Sequence, residues 1–214
     1  MAEAIRIVPA NAASWEDVQA VFGQRGEPAR CQCQWFRVPA AEFRGLSAED
    51  RQWRHREQVG CDEPRSGGPQ SHKPQSHNPQ SGETSGLIAY LDDEPAGWCA
   101  VAPRPEYPHL RTQKVPWTGR AEDKDDAGVW AVTCFVTRVG FRRRGISRAL
   151  TAATVDFARR RGARALEAYP LVLKPGEQMT WGELYVGERD NFVAAGFREV
   201  SRPTARRVVM RVEF

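Results

Sequence analysis

The segment CFVTRVGFRRRGISRAL, residues 134–150, most restricts what this chain can fold into. It continues an apolar run, VWAVTCFVT, whose lack of alternation predicts a strand buried on both faces. After a glycine-containing turn, Ile146, Leu150, Ala153 and Phe157 follow the spacing of a single buried helical stripe. A buried strand that leads directly into an amphipathic helix is typical of a βαβ unit, so the sequence predicts a mixed α/β fold.

The turn between this strand and this helix has the chemistry of an anion site. A helix N-terminus offers free N–H groups and about half a positive charge. Gly145 has no Cβ, so a phosphate can approach the backbone there. Arg142, Arg143 and Arg144 add cations that pair well with phosphate. The spacing matches neither a P-loop nor a full dinucleotide fingerprint, and a tight turn with solvated arginines is the alternative interpretation.

Upstream of this unit the chain predicts helices and a hairpin. Helices are expected after Ser14 and after Ser47, which are both good N-cap residues, and Asp50 stands in the capping-box position of the second helix. That second helix has a very polar body and is expected at the surface. Apolar runs on either side of a turn at 92–95 predict a β-hairpin.

Downstream of the arginine-rich turn the chain predicts a strand, a helix and two closing strands. ARALEAYPL is interpreted as a strand parallel to the one at 129–137, which completes a right-handed βαβ unit. A helix at about 187–195 ends at Gly196, before the strands REVSR and RRVVMRVEF. With a first strand at 5–9, this order favours a single domain spanning residues 1–214.

Residues 61–86 break the pattern. GPQSH-KPQSH-NPQSG is a five-residue repeat in three copies and has no apolar residue that could offset the entropy of ordering. We interpret the stretch as a low-complexity surface insertion. His72 and His77 lie in it and could bind a metal, but a solvated linker is the favoured interpretation, and no metal site is predicted.

Composition excludes several classes of protein. The net charge of +4 is too small to indicate nucleic-acid binding, although arginine clusters bracket the predicted helix at 142–144 and 159–161. The longest apolar stretch, around Val129–Val136, is too short to cross a bilayer, and the N-terminus does not resemble a secretory signal. Five cysteines without a secretory context predict free thiols in a reducing compartment, so a cytoplasmic protein without nucleic-acid or membrane partners is expected.

The strand, the residues RRRGIS and the striped helix resemble the acetyl-coenzyme A signature, Arg/Gln-x-x-Gly-x-Gly/Ala, of the GNAT superfamily of N-acetyltransferases. NFVAAGF, residues 191–197, is similar to the last helix of that family, which ends in Gly-Phe before a final hairpin. The resemblance covers about residues 5–60 and 86–214. It implies a single-domain, mixed, mostly antiparallel sheet that is flanked by helices and contains a pair of parallel strands, here about 129–137 and 165–170, that splay apart at one end.

The resemblance also implies where acetyl-coenzyme A would bind. The pantetheine arm would pair with backbone groups in the splay, those of Phe135, Val136 and Thr137. The pyrophosphate would lie on main-chain amides at the helix start, next to the side chain of Arg142; those amides belong to Arg143, Arg144, Gly145, Ile146 and Ser147. Serine at 147 departs from the commoner glycine or alanine and is small enough to be tolerated.

Catalysis in the family needs an oxyanion donor, a base for the amine and an acid for the sulfur. The donor would be a backbone N–H near Phe135. Where the family often has a tyrosine, five residues before the terminal Phe, this chain has Phe192, which leaves Tyr185 as the best candidate acid and Tyr169 as the second. Core packing is the alternative role for both tyrosines. Some relatives keep a glutamate where this chain has Ala131, so no base is named.

The acceptor pocket of the family includes the loop that reads CQCQWFRVP here, residues 31–39. Trp35, Phe36 and Arg37 are candidate wall residues, with ordinary packing as the alternative. The loop cysteines and Cys134 are interpreted as packing residues rather than as metal ligands or an acetylated intermediate.

The sequence thus predicts an acetyl-coenzyme A-dependent N-acetyltransferase that acts on the primary amine of a small molecule by direct attack in a ternary complex. Two alternatives stay open: an acyl-coenzyme A-binding module with little turnover, and an enzyme that acts on a protein amine. The oligomeric state is also open, with a homodimer as one option.

Overall fold

The structure is a computed structural model that describes residues 4–61, 84–174, 176 and 181–214. The repeat within the predicted insertion at 61–86 therefore lies outside the described residues. At the two ends of that stretch, Cys61 and Thr84 are buried, and the Thr84 hydroxyl donates to the Val59 carbonyl oxygen at 2.8 Å. The chain next to the repeat is thus anchored to the fold on both sides.

Seven strands of the described chain form one sheet in the order β1-β2-β3-β4-β5-β7-β6. Every neighbouring pair is antiparallel except β4 and β5, which are parallel. The predicted fold class, a mixed and mostly antiparallel sheet flanked by helices, is confirmed. The strands are β1 (Ile5–Pro9), β2 (Gly86–Leu91), β3 (Glu94–Pro103), β4 (Val129–Thr137), β5 (Ala165–Ala168), β6 (Arg198–Thr204) and β7 (Arg207–Glu213).

The helices include the predicted ones and several short ones that the sequence pattern did not reveal. Ser14 caps the first helix, and Ser47 forms the predicted capping box with Asp50. The helices are α1 (Trp15–Phe22), α2 (Gly26–Cys31), α3 (Ala40–Gly45), α4 (Ala48–Val59), α5 (Lys114–Trp117), α6 (Ile146–Arg160), α7 (Trp181–Leu184) and α8 (Arg189–Ala194).

The helices cover both faces of the sheet. Cys99 and Val101 of β3 pack on the side of α6, whereas their neighbours Trp98 and Ala100 pack on the side of α1, as expected for a strand whose side chains alternate. A Cβ at Gly97 would lie 2.4 Å from Ile146 Cγ2, so glycine permits the close approach of α6 to β3. A sheet buried on both faces explains why β4 shows no alternation.

A buried ionic network holds the long β3–β4 connection against the sheet. Glu167 on β5 is fully buried and forms ion pairs with Arg104 and Arg120 of that connection and with Arg211 of β7. Removal of a carboxylate that pairs with several buried cations is strongly destabilising, because the cations are left without compensation.

Helix α4 is less exposed than its polar sequence suggested. Its His55 is buried among the rings of Trp15, Phe22 and Trp98, and its Nδ1 lies 3.1 Å from Gln32 Oε1. Burial disfavours the charged imidazolium and lowers the pKa of His55 from 6.5 to about 3.

The free energy of unfolding should therefore fall as the pH drops below about 6.5. The unfolded chain then binds a proton that folded His55 accepts only near pH 3, so stability is lost on acidification and is fully present above about 6.5. The slope from this group is at most about 1.4 kcal/mol per pH unit. Denaturant unfolding across this pH range should show a smaller slope in a His55→Phe variant, which cannot titrate. Equal slopes in the two proteins would contradict this explanation.

Candidate active site

The turn between β4 and α6 leaves the first N–H groups of α6 open. Gly145 is the N-cap residue in the left-handed conformation, with φ of 79°, and no side chain of the described chain caps the helix start. A Cβ at Gly145 would meet no atom closer than Ile5 Cδ1, at 3.9 Å, so the space beside it is open. Arg143 is also left-handed, with φ of 62°, a conformation that is strained for arginine.

Cations surround this helix start. Arg142, Arg143 and Arg144 are exposed, and the guanidinium of Arg144 lies 5.7 Å from the centre of the Phe141 ring. On the same ring, the guanidinium of Arg138 lies at 5.1 Å. Open N–H groups, a glycine without a Cβ and exposed arginines together fit a diphosphate group.

Strand β4 leaves its parallel neighbour halfway along its length. It pairs with β5 only over Val129–Val132, and from residue 133 onward its pairing partner among the described strands is β3 alone. The register with β3 shifts beside Val101, as expected for a β-bulge in β4. The parallel strands therefore open a gap at the end that leads to the α6 turn, as the resemblance implied.

The segment just before α8 enters this gap. The Phe135 N–H donates to the Tyr185 carbonyl oxygen at 2.6 Å, and the Leu171 N–H donates to the Gly187 carbonyl oxygen at 3.0 Å. A Cβ at Gly187 would lie 3.1 Å from Phe135 Cε2, which shows how closely the segment packs on β4. The amide expected to serve as oxyanion donor is thus bonded to protein in this state.

The three predicted pantetheine contacts on β4 differ in the direction of their backbone groups. The Phe135 N–H points into the gap, and the Arg138 N–H donates to the Ala96 carbonyl oxygen on β3 at 2.9 Å. Backbone N–H and C=O groups point to alternate edges along a strand. The backbone groups of Thr137 therefore point into the gap like those of Phe135, whereas the backbone groups of Val136 point to β3. Phe135 and Thr137 are therefore the residues whose backbone can serve a ligand in the gap.

A cavity of about 360 Å³ opens on the face of the sheet that α1 covers, where it touches β4 at Cys134 and Val136. Most of its lining is apolar or aromatic, and charged side chains contribute the remainder. The lining residues are Phe22, Glu27, Pro28, Arg30, Cys31, Cys33, Trp35, Phe36, Phe43, Arg51, Cys134, Val136, Gly182 and Tyr185.

Two of the three candidate acceptor residues, Trp35 and Phe36, line this cavity. Arg37 is not among the lining residues. Its guanidinium is buried, forms an ion pair with Glu106 at 2.5 Å and stacks on the Tyr107 ring at 4.5 Å. Arg37 thus holds the β3–β4 connection against the loop, a position for which its sequence context gave no signal.

The two candidate tyrosines have different surroundings. Tyr185 is half-buried, lines the cavity and makes no side-chain hydrogen bond within the part of the chain that the structure describes. Burial raises the pKa of its hydroxyl, and the nearby charge of Arg207 opposes that rise. Tyr169 is buried in the core and donates to Glu167 Oε2 at 3.1 Å; burial, followed by the charge of Glu167, raises its pKa.

The cysteines that sequence reasoning assigned to packing lie in the cavity wall. Cys33 Sγ is 2.9 Å from Cys134 Sγ and accepts a hydrogen bond from Trp98 Nε1 at 3.1 Å. Burial raises the pKa of the Cys33 thiol well above its usual value and that of Cys31 to about 11. Protonated thiols are weak nucleophiles, which favours a packing role for Cys31 and Cys33.

A network of glutamines holds the strained loop that carries these thiols. Gln32 and Cys33 are both left-handed, with φ of 48° and 54°. The Gln32 side chain donates to Gln19 Oε1 at 3.2 Å, and Gln34 donates to Gln58 Oε1 at 2.8 Å. Such conformations persist only where surrounding contacts stabilise them, and they concentrate at functional sites.

Several further lining residues come from α2, α3 and α4 and were not predicted. Glu27, Arg30 and Phe43 belong to helices of six residues, which are too short for a periodic signal. Arg51 lies on α4, whose polar sequence indicated only a surface helix.

Within the described residues, no cluster of three or more His, Cys, Asp or Glu side chains could hold a metal ion. None of the helices in this part of the chain has the length and apolar character of a membrane span.

A comparison of the sequence with models of known protein families finds one that matches this chain. The model described as the acetyltransferase (GNAT) family matches residues 47–173, which is more than half of the chain. A search of the curated proteins finds no match. The matched range contains the α6 turn, the gap and the β4 wall of the cavity.

Solved structures with similarity to this chain include acetyltransferases from several microorganisms. A PaiA N-acetyltransferase from Thermoplasma acidophilum, solved in complex with coenzyme A, is 11% identical over 99% of each chain, with a TM-score of 0.49. An N-acetyltransferase from Staphylococcus aureus is 10% identical over 98% of each chain, with a TM-score of 0.48. A GNAT-family acetyltransferase from Streptococcus pneumoniae is 12% identical over 99% of each chain, also with a TM-score of 0.48.

Proposed function

This chain belongs to the GNAT acetyltransferase family, and on that basis we propose that it transfers an acetyl group from acetyl-coenzyme A to the primary amine of a small molecule. One observation carries the proposal. The Phe135 N–H of β4 points into the gap, and the side chains of its neighbours Cys134 and Val136 line the cavity. The gap at the edge of β4 and the cavity on its face therefore adjoin at these three residues. A thioester in the gap and an amine in the cavity would be neighbours there.

Binding and orientation of the co-substrate fall to the α6 turn and to β4. The amides of Arg143–Ser147 and the cation of Arg142 hold the diphosphate, and the gap-facing backbone of Phe135 and Thr137 aligns the arm. Acetyl-coenzyme A supplies an acetyl group already activated as a thioester. Because the Phe135 N–H is bonded to the Tyr185 carbonyl oxygen, binding must shift the segment before α8 to free this donor.

The amine is delivered from the cavity and must lose a proton. Glu27 is the carboxylate of the lining and forms an ion pair with Arg30. No side chain is assigned as the base, and the proposed route for the amine proton is a relay through water to solvent. Tyr185 is the acid that protonates the departing sulfur: its raised pKa keeps the hydroxyl protonated at neutral and moderately alkaline pH.

The shape of the cavity supports a small acceptor over a protein amine. A volume of about 360 Å³ lies at the lower end of the range for small-molecule sites. The aromatic lining, which includes Trp35 and Phe36, suits a compact apolar body. A protein tail would instead need an open groove along the surface.

One observation favours the alternative of a binding module with little turnover. The protein itself occupies the Phe135 N–H, which the reaction would need. A module would bind coenzyme A at the α6 turn and leave this bond in place.

Release of free thiol from acetyl-coenzyme A, measured across a panel of small primary amines, tests the proposed function. We expect release that depends on the amine, together with an acetylated product identified by mass. Coenzyme A binding without amine-dependent thiol release would favour the module.

A further inference from the structure

Arg51 is an arginine that the fold holds in place at the cavity, and no carboxylate of the described residues forms an ion pair with it. Its guanidinium lies 4.0 Å from the centre of the Phe43 ring. Its Nη1 donates to the Arg30 carbonyl oxygen at 2.9 Å and its Nη2 to the Phe43 carbonyl oxygen at 2.7 Å. Its Nε is buried and has no hydrogen-bond partner among the described residues. Neutral carbonyl groups orient this side chain but leave its charge uncompensated.

The other charges of the lining do not compensate it either. Glu27, the lining carboxylate, forms an ion pair with Arg30, and both of these side chains are largely exposed. The described lining therefore keeps an excess of positive charge on the wall that α2, α3 and α4 form. This charge disfavours polycationic acceptors and favours an acceptor with an anionic group.

The lining also indicates what joins the anionic group to the amine. The rings of Phe22, Trp35 and Phe36 surround the space together with Phe43, and no carboxylate lies on the β4 wall. An acceptor that places its amine at the β4 wall and its anionic group at Arg51 must bridge the cavity with an apolar body. Each Nη of Arg51 has a second hydrogen besides the one it donates to a carbonyl oxygen, and a carboxylate is a strong acceptor for it.

We propose that the acceptor is an apolar primary amine that also carries a carboxylate, and that Arg51 is the residue that selects it. This inference rests on the proposed function for the identity of the reacting group. It adds the chemical class of the acceptor and a specificity-determining residue.

Matched pairs of amines with and without a carboxylate test the inference. The pairs are 4-(aminomethyl)benzoate against benzylamine and 4-(2-aminoethyl)benzoate against phenethylamine, in which the ring separates the carboxylate from the amine. Calorimetric titration in the presence of coenzyme A gives the dissociation constants without any need for turnover, and thiol release gives kcat/KM. We expect the acid to be preferred about 10- to 100-fold in at least one pair, in line with a hydrogen-bonded charge pair.

Variants of two arginines on α4 distinguish a role of Arg51 in selecting the acceptor from a role in stabilising the fold. Arg51→Gln should reduce the preference for the acid at least about 10-fold, and Arg51→Lys should restore part of it by returning the charge. The matched control is Arg54→Gln on the same helix, because Arg54 forms an ion pair with Glu42 and is not among the lining residues. This control should keep the preference.

The two readouts distinguish the failure of this inference from the failure of the proposed function. Tighter binding of the acids that is lost in Arg51→Gln supports the inference even if no acetyl group is transferred, an outcome that would overturn the proposed function alone. Transfer to the amines with equal binding of acid and neutral partner would overturn the inference alone. A preference that persists in Arg51→Gln would also overturn it.

Discussion

A Gly145→Asp variant should bind coenzyme A about 100-fold more weakly than the wild-type protein, at a cost of about 1 kcal/mol in stability. Aspartate enters the left-handed conformation more readily than most residues, but any Cβ is strained at this position. Its carboxylate would lie next to the open amides that the diphosphate needs and would repel the phosphates. Loss of two charge-assisted hydrogen bonds corresponds to about 3 kcal/mol, or about 100-fold in the dissociation constant.

Two control variants show whether the weaker binding comes from the charge of the new side chain and from its position at the start of α6. Gly145→Asn brings a side chain of the same shape and the same backbone strain without the charge, and it should weaken binding less. Gly162, beyond the other end of α6, has φ of 77° and open space around it, so Gly162→Asp places the same change at the negative end of the helix. It should cost stability and leave the affinity unchanged. Calorimetric titration and thermal unfolding of each variant measure both quantities, and equal coenzyme A affinities in Gly145→Asp and Gly162→Asp would refute the predicted diphosphate site.

A Tyr185→Phe variant should lower kcat by about 100-fold while the KM for acetyl-coenzyme A stays close to the wild-type value. General acids contribute about 100- to 10,000-fold, and this change removes only the hydroxyl. The Tyr185 carbonyl, which accepts from the Phe135 N–H, remains in the variant. In the wild-type protein the rate should fall at alkaline pH as the hydroxyl ionises, and because its pKa is raised the midpoint of this fall should lie above the ordinary tyrosine pKa of about 10.

The other candidate tyrosine supplies the matched control. Tyr169→Phe removes a buried hydroxyl that donates to Glu167, so it should cost about 1–3 kcal/mol of stability and affect kcat much less. Steady-state kinetics and denaturant unfolding of both variants give the comparison. A Tyr185→Phe enzyme with wild-type kcat and an unchanged alkaline limb would remove Tyr185 from the mechanism.

The fold could be predicted from local patterns because each pattern reports on burial or on a helix end. Three such patterns depend only on residues that are close together in the sequence: the unbroken apolar run of β4, the stripe of α6 and the capping box at Ser47. The hairpin turn is likewise local: Asp92 and Asp93 are both left-handed, as a two-residue turn requires.

The acceptor side could not be predicted in the same way, because long-range contacts determine it. Arg37 was a candidate for the pocket, but Glu106, far along the chain, takes its guanidinium instead. Arg51 belongs to a helix whose composition indicates only a surface, and its position on the cavity depends on the short helices α2 and α3. Nor does the sequence of β4 show that Tyr185 approaches Phe135.

The most direct test of the central claim is a crystal structure with acetyl-coenzyme A bound. We expect diphosphate oxygens within hydrogen-bonding distance of the amides around Gly145, and a thioester in the gap beyond Val132 with the Phe135 N–H released from the Tyr185 carbonyl. A diphosphate bound elsewhere, or a gap still closed by the segment before α8 with the thioester outside it, would contradict the proposed acetyl-coenzyme A site.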